Sequence, residues 1–272
     1  MFPVKWTAPL LFAGLFAGIV ISLEVGYRIG RRGSRRIPER GFEGVGAMEA
    51  AIFSLLGLLL AFSFSGATSR FDARRQLIVQ EANAISTAYQ RLSLAPTDQS
   101  ELRRLFRDYL DARLQGFQEI PDRPRADEQF ARAAQIGKEI WTRALAAGRE
   151  DSTQNVSRVL LPALNQMSDV ANQRAVALET HMPEVVFWLL VAVVLMSGVL
   201  AGHAMARRPR RSWLHMLLFS AIISLTITVM FDFNYPRYGL IRVDAADKVL
   251  LQLRESMRDG MAEEPGNQPL RR

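Results

Sequence analysis

The sequence predicts an all-α protein with four transmembrane spans and a helical bundle inserted between spans two and three. Three features support this prediction. Apolar runs of roughly 20 residues occur four times, which is the length that crosses a bilayer core as a helix. Polar sequence with helical periodicity separates the second run from the third. Arginine-rich segments follow the first run and the third, as loops beside membrane helices often do.

The apolar runs cover residues 7–27, 47–69, 184–206 and 213–233. The first run continues to Tyr27 and ends in arginines without a small-residue cleavage site, which indicates an uncleaved anchor instead of a signal peptide. Pairs of glycines four residues apart occur in two runs, Gly14 with Gly18 and Gly198 with Gly202. Such pairs let a second helix approach closely, so we expect helix contacts at both places.

The second run passes without proline into a charged segment, which predicts one helix of about 45 residues over 46–91. Bulky apolar residues recur along one side of it: Phe53, Leu56, Leu60, Phe64 and Phe71. Small and polar residues recur along another: Gly46, Ala50, Ser54, Gly57, Ala61, Ser65, Thr68 and Asp72. The small stripe suits close helix packing, or it lines a water-filled path where several copies surround an axis. The sequence leaves this choice open.

Residues 70–182 are predicted to form a soluble bundle of four helices, the first continuous with span two. Apolar faces at helical spacing mark the other three, over 102–117, 130–145 and 156–178. Pro162 predicts a kink, and Asp98 with Glu101 predicts a capping box. The acidic residues are matched by arginines, which is typical of solvated helix faces.

Span four ends in a segment with an acid, an amide, a proline, an arginine and a glycine: Asp232, Asn234, Pro236, Arg237 and Gly239. We expect a structural turn at the membrane boundary with Asp232 and Arg237 paired. An amphipathic helix is predicted over 244–261, followed by a disordered tail. The predicted divisions are 1–69 (spans one and two), 70–182 (bundle), 183–235 (spans three and four) and 236–272 (amphipathic helix and tail).

The chain carries a formal net charge of +7, and most of the surplus lies in two short loops, 28–40 and 207–211. Basic loops beside apolar helices indicate contacts with lipid headgroups and not a nucleic-acid surface. Short arginine-rich loops remain on the cytoplasmic side, so we expect both termini and the bundle to lie outside the cytoplasm.

Residues suited to chemistry are scarce. The sequence has no cysteine, and its three histidines are His181, His203 and His215, none of them at ligand spacing from acids. It also lacks the motifs of metalloproteases, phosphate-binding loops and serine hydrolases. We therefore expect no enzymatic activity, no metal site and no cofactor.

Two segments, 65–75 and 81–89, resemble those of the bestrophin-like proteins of bacteria, as do 161–174 and the pattern from Asp232 to Gly239. The resemblance covers most of residues 45–245. True bestrophins are pentameric ion channels whose second span lines the pore, with bulky apolar residues forming a neck. The match to their own signature after span two is Phe71-Asp72 followed by Arg75. Bestrophins keep their helical domain in the cytosol, which is opposite to the orientation that the loop charges predict.

The resemblance and the small stripe together predict an oligomeric ion channel in the bacterial inner membrane. Its partners would be membrane lipids, inorganic ions and further copies of the chain. The resemblance implies a pentamer. Ser54, Leu58, Ala61 and Ser65 would line the conduit, and Phe62 would form a constriction that gates by dewetting. Glu49 would bias ion sign at one mouth.

The alternative is a membrane sensor or scaffold whose bundle binds a ligand or a partner. Signalling by such a protein would need a partner protein, because this topology places no output domain in the cytoplasm. Oligomeric state separates the two hypotheses, since a closed ring favours a pore and a monomer or dimer favours a scaffold.

Overall fold

The computed structural model describes residues 7–33, 45–95, 99–206, 212–235 and 244–259, and these ranges are helical apart from short connections. The helices are α1 (Thr7–Gly33), α2 (Val45–Gln90), α3 (Ser100–Gln118), α4 (Arg123–Glu150), α5 (Leu161–Glu179), α6 (Glu184–Met205), α7 (Trp213–Asn234) and α8 (Asp244–Asp259). A 3₁₀ turn, Arg91–Leu94, follows α2, and a π-helical turn, Val156–Leu160, precedes α5. The all-α prediction is confirmed, and α2 is the single long helix expected, with 46 residues.

Within the described ranges, four helices are long and apolar enough to cross a membrane, namely α1, α2, α6 and α7. This confirms the prediction of four spans. The chain divides into two compact units. The membrane unit comprises Met1–Phe71 with His181–Ile241, and the bundle unit comprises Asp72–Thr180 with Arg242–Arg272. Helix α2 contributes residues to both.

In the membrane unit, α1 packs against α6 and α7. The contact between α1 and α6 is close because glycines remove the side chains that would separate the backbones. A Cβ atom at Gly202 would overlap the backbone of Leu23, and one at Gly26 would overlap the backbone of Val199. The predicted role of Gly202 is therefore confirmed.

The expectation for the first glycine pair is wrong at Gly14 within the part of the chain that the structure describes, because no atom there lies within 4 Å of the position its Cβ would occupy. Gly18 makes only an ordinary contact, 3.5 Å from a methyl carbon of Leu195. The two helices instead converge further along, where Gly30 would clash with Ala206. Spacing alone cannot say where two helices cross, because that depends on residues of both.

The bulky side of α2 faces the interior of the membrane unit. Leu56 and Leu60 belong to the buried core together with residues of α1, α6 and α7. Phenylalanine rings join α2 to α7 edge to face, with centroids 6.4 Å apart for Phe53 and Phe219 and 5.8 Å apart for Phe64 and Phe233. Such ring pairs add to the area burial that holds the helix in place.

In the bundle unit, α3 packs against α4 and α8. The fully buried side chains include those of Phe106, Leu110, Ile140, Leu160 and Leu164, which lie on the predicted apolar faces. Pro162 is the second residue of α5 and lies directly after the π-helical turn Val156–Leu160. Both a proline and a π-helical turn are known causes of helix bending, and they occur together at the place where the kink was predicted.

The expectation that the acids of the bundle lie on solvated faces is wrong for Glu81. Its side chain is completely buried, and it pairs with Arg113 of α3 and Arg174 of α5. These partners are 32 and 93 residues away in the sequence, so local periodicity could not reveal the burial. The predicted capping residue Asp98 and the predicted tail lie outside the described residues.

Candidate functional site

The residues predicted to line a conduit share one exposed side of α2 within the membrane unit. Its members are Ser54, Leu58, Ala61, Phe62 and Ser65, and we call this surface the open face. Leu58 is 52% exposed and Phe62 is 69% exposed. Large apolar side chains of this exposure are typical of a surface that meets lipid or another protein chain.

Helical geometry explains why the open face is exposed. Residues advance by about 100° around an α-helix, so Leu58 lies about 160° from Leu60, whose side chain is buried. Leu56 and Ala67 are buried on the same side as Leu60. The packed side and the open face are thus opposite surfaces of one helix.

Most of the rest of the small stripe is also uncovered by this chain, although Thr68 is half-buried. Ala50 and Gly57 are exposed, and a Cβ atom added at Gly46 or Gly57 would meet nothing within 4 Å. Close packing of the stripe against another helix of the same chain is therefore not seen among the described residues. The stripe remains available to lipid or to another copy.

Hydroxyl groups on this side of α2 bond within the helix. Ser54 Oγ donates to the carbonyl oxygen of Ala50 at 2.9 Å, and Thr68 Oγ1 donates to that of Phe64 at 3.0 Å. A hydroxyl bonded in this way can face an apolar medium, and its oxygen can still accept a hydrogen bond or contact a cation.

Glu49 lies on the other side of the helix. It is half-buried one turn before Phe53, on the packed side, and about 180° around the helix from Leu58. One of its carboxylate oxygens is buried and makes no hydrogen bond within the described ranges. The structure therefore does not bring Glu49 together with the open face.

The predicted boundary turn is described as far as Tyr235. Asp232 and Asn234 are buried at the end of α7. Arg70 Nε donates to Asn234 Oδ1 at 3.1 Å, and Asn234 Nδ2 donates to the carbonyl oxygen of Met230 at 2.9 Å. The remaining members of the predicted turn, Pro236, Arg237 and Gly239, lie outside the described residues, and so does the proposed pair of Asp232 with Arg237.

The sequence analysis did not identify Arg70 as the partner of Asn234. A signal was present, because Arg70 and Asn234 both stand where an apolar run ends on the side of the bundle. An arginine at the end of one span and an amide at the end of another can meet only if the two spans are neighbours. Which spans are neighbours is known only from the three-dimensional arrangement of the helices.

These observations define a class of protein: a helical membrane protein with four spans. Its second helix has a face, with both polar and apolar residues, that the described part of the chain leaves uncovered. The chain matches the bestrophin-like domain over residues 12–247. It therefore belongs to the bestrophin-like family, which confirms the resemblance drawn from its sequence. A comparison with curated protein sequences finds no match.

Solved structures share the fold. A point variant of a bacterial bestrophin homologue from Klebsiella pneumoniae aligns with a TM-score of 0.64 at 17% identity, covering 92% of this chain and 99% of that chain. The homologue from the same organism solved by Zn-SAD phasing gives a TM-score of 0.62 at 16% identity, covering 91% and 98%. A crystal structure described as a membrane protein gives 0.66 at 15% identity, again covering 91% and 98%.

Proposed function

We propose that the protein is a homo-oligomeric ion channel in which the open face of α2 lines the conduit. The observation that carries the proposal is that this face is left uncovered by the chain while the opposite side of the same helix is packed. Family membership supports the same function, since true bestrophins are pentameric ion channels. A ring of five copies around α2 is the assembly we propose.

The chemistry of the open face fits conduction without a chemical step. Ser54 and Ser65 present hydroxyl groups that can replace part of the hydration shell of an ion, and Ala61 leaves space beside them. Leu58 and Phe62 project bulky apolar groups from the same face. A ring of such groups forms a constriction that closes by dewetting and opens when it widens.

Glu49 is proposed to bias ion sign at the mouth nearer the first arginine-rich loop. Its distance around the helix from Leu58 means that this bias would act through the electric field and not through direct contact. Neutralising Glu49 would then change the ratio of anion to cation permeability without changing the constriction.

We also propose that the protein lies in the bacterial inner membrane with the arginine-rich loops in the cytoplasm and the bundle outside. The preference of short arginine-rich loops for the cytoplasmic side supports this orientation. A reporter active only outside the cytoplasm, fused after Arg272, would be active in this orientation and silent in the reverse one.

The test of function is reconstitution of the purified protein in planar bilayers, combined with the symmetry of detergent-solubilised particles. We expect discrete currents and a closed ring of four or more subunits. Absence of current under all ionic conditions, or a monomer or dimer, would contradict the proposal.

A sensor or scaffold remains a second candidate, favoured by one observation in the bundle unit. A cavity of about 780 Å³ opens there between α3, α4 and α5, as a ligand-binding bundle requires. This function does not exclude conduction, because the cavity and the open face are separate surfaces.

A further inference from the structure

Four aromatic rings surround a cavity of about 260 Å³ in the membrane unit. They come from the first turns of α6 and from the last turn of α7 with the residue after it: Phe187, Trp188, Phe231 and Tyr235. Glu184 and Asn234 also line the cavity, and we call this site the aromatic pocket. Sites for a whole drug-sized molecule measure about 300–1,000 Å³, so the aromatic pocket suits one chemical group of a larger molecule.

The four rings form a continuous series of contacts. The centroid of Phe187 lies 5.5 Å from that of Trp188 and 6.1 Å from that of Phe231, and the centroid of Phe231 lies 4.7 Å from that of Tyr235. The planes of these three pairs are inclined by 74°, 57° and 37°, so the ring faces point in different directions. An aromatic face attracts a cation, and several rings around one space are typical of sites for ammonium groups.

The charge of the aromatic pocket also favours a cation. Glu184 is the first residue of α6, is exposed and forms no ion pair in the described part of the chain. The last turn of α7 contributes the negative end of its helix dipole. A positively charged group in the pocket would therefore meet aromatic faces, a carboxylate and a helix C-terminus.

A positive side chain of α2 lies directly beside the aromatic pocket. Arg70 Nε donates to the side-chain oxygen of Asn234 at 3.1 Å, and Asn234 lines the pocket. Among the residues that the structure describes, Arg70 forms no ion pair with an acid. Guanidinium groups are well suited to phosphate, because their N–H groups match its oxygen atoms. A ligand with an ammonium group next to a phosphate would fit both parts of the site.

The aromatic pocket lies at the level expected for lipid headgroups. Helix α6 begins there and α7 ends there, so the pocket is at the boundary of two spans. Tryptophan and tyrosine are enriched at such boundaries. Exposed apolar side chains continue along α6 from the pocket at helical spacing: Val185, Leu189 and Met196. They provide a surface for acyl chains below the headgroup.

We propose that the aromatic pocket binds the headgroup of a zwitterionic phospholipid. The terminal ammonium would lie between the rings and Glu184, and the phosphate would accept hydrogen bonds from Arg70. The acyl chains would follow the exposed side of α6. The proposal does not depend on conduction, because none of the residues of the open face lines the aromatic pocket.

The test is native mass spectrometry of the full-length protein in detergent micelles with three lipids that have the same acyl chains. They are phosphatidylethanolamine, N-acetyl-phosphatidylethanolamine, which has lost the positive charge, and phosphatidylcholine, which keeps the charge but has a larger headgroup. We expect both cationic headgroups to be retained about tenfold more than the acetylated one, because only they make cation–π contacts. Equal retention of all three lipids would overturn the proposal. Loss of phosphatidylcholine together with the acetylated lipid would also overturn it, because size would then decide.

A matched pair of tryptophan variants locates the site. Trp188 is 65% exposed, so Trp188→Leu should fold and should abolish most of the preference for the ammonium headgroups. Trp213 is 53% exposed and begins α7, at the other end of the helix from the aromatic pocket, so Trp213→Leu should leave the preference unchanged. Equal effects of the two changes would show that the lipids bind elsewhere.

Two polar variants separate the two halves of the headgroup. Glu184→Gln should lower the preference for ammonium headgroups, whereas Arg70→Gln should lower the retention of all three lipids and leave the preference unchanged. The reverse pattern would overturn the proposed placement of the headgroup. Should Arg70→Gln fail to fold, Glu184→Gln and Trp188→Leu still decide the matter, because both change exposed side chains. Displacement of the lipids by soluble phosphoethanolamine would show that a free compound is the ligand, and would overturn the assignment of a lipid.

Discussion

Arg74 Nη2 donates a hydrogen bond of 2.7 Å to the carbonyl oxygen of Thr180, a residue 106 positions further along the chain. Arg74 Nε donates another, of 2.9 Å, to the carbonyl oxygen of Ala177. The last carbonyl groups of a helix have no partner within it, and a cation there is favoured by the helix dipole. One arginine of α2 thus caps α5.

Arg74→Gln should lower the free energy of unfolding of the bundle unit by about 1.5–3 kcal/mol, the range for a lost hydrogen bond to a charged group. The measurement is chemical denaturation followed by circular dichroism. Arg125→Gln in α4 is the control, because Arg125 and its partner Asp122 are more than half exposed and 3.3 Å apart. Exposed pairs contribute little, so equal losses in both variants would contradict the capping role.

Glu81→Gln should be more damaging, because it leaves two buried arginines without their shared carboxylate. Removal of one partner from a buried ion pair costs about 3–5 kcal/mol. We expect a correspondingly lower midpoint of denaturation than for wild type. Glu101→Gln changes an exposed acid that pairs with Arg104, and should leave the midpoint almost unchanged. A tolerated Glu81→Gln would mean that the two buried arginines do not depend on the charge of Glu81.

Two glycine substitutions test the packing of α1. Gly202→Ala should destabilise the membrane unit by about 1–3 kcal/mol, because its methyl group would overlap the backbone at Leu23. Gly14→Ala places the same methyl group in open space, and the change favours a helix interior by roughly 0.5–1 kcal/mol. The midpoint of thermal unfolding in detergent should therefore fall for Gly202→Ala and rise for Gly14→Ala. Equal shifts would argue against the close contact of α1 with α6.

Changes on the open face test the proposed conduit. Phe62→Ala and Leu58→Ala should each raise single-channel conductance several-fold, because the apolar constriction widens. Leu225→Ala is the matched control, since Leu225 is a leucine of α7 with 55% exposure, close to that of Leu58. Planar-bilayer recordings would compare the three variants. Equal conductance in all of them would remove Leu58 and Phe62 from the conduit.

The pH dependence of stability should include a contribution from Asp151. Its carboxylate accepts hydrogen bonds from Thr153 Oγ1, the main cause, and from the backbone N–H of Val156, and these lower its pKa. A lowered pKa stabilises the fold above the unfolded value of about 3.9. That stabilisation is lost as the pH falls through the folded pKa.

The difference in denaturation midpoint between wild type and Asp151→Ala should therefore be constant from pH 7 to pH 5. It should shrink as the pH falls further, because protonation removes from the wild type the same negative charge that the substitution deletes. A difference that does not change down to pH 2 would show that the carboxylate charge is not involved.

The sequence predicted the helices much better than the contacts between them. An apolar run in lipid must be helical because its backbone groups have no other partners, so the spans could be found from composition. The continuity of α2 followed from the absence of proline. The contact of Arg70 with Asn234 and the burial of Glu81 could not be found in this way, because both depend on residues more than 30 positions apart.

The sequence by itself determined the all-α class, the four spans, the bundle between them and the two unlike faces of α2. These properties follow from hydrophobicity and helical period, which are local. Only the tertiary structure decided that the bulky face is packed and the small face is open, that α1 meets α6 closely at Gly26 and Gly202, and that Glu81 is buried between two arginines. The physical reason is that burial depends on which surfaces of distant segments meet, and that is set when the chain folds.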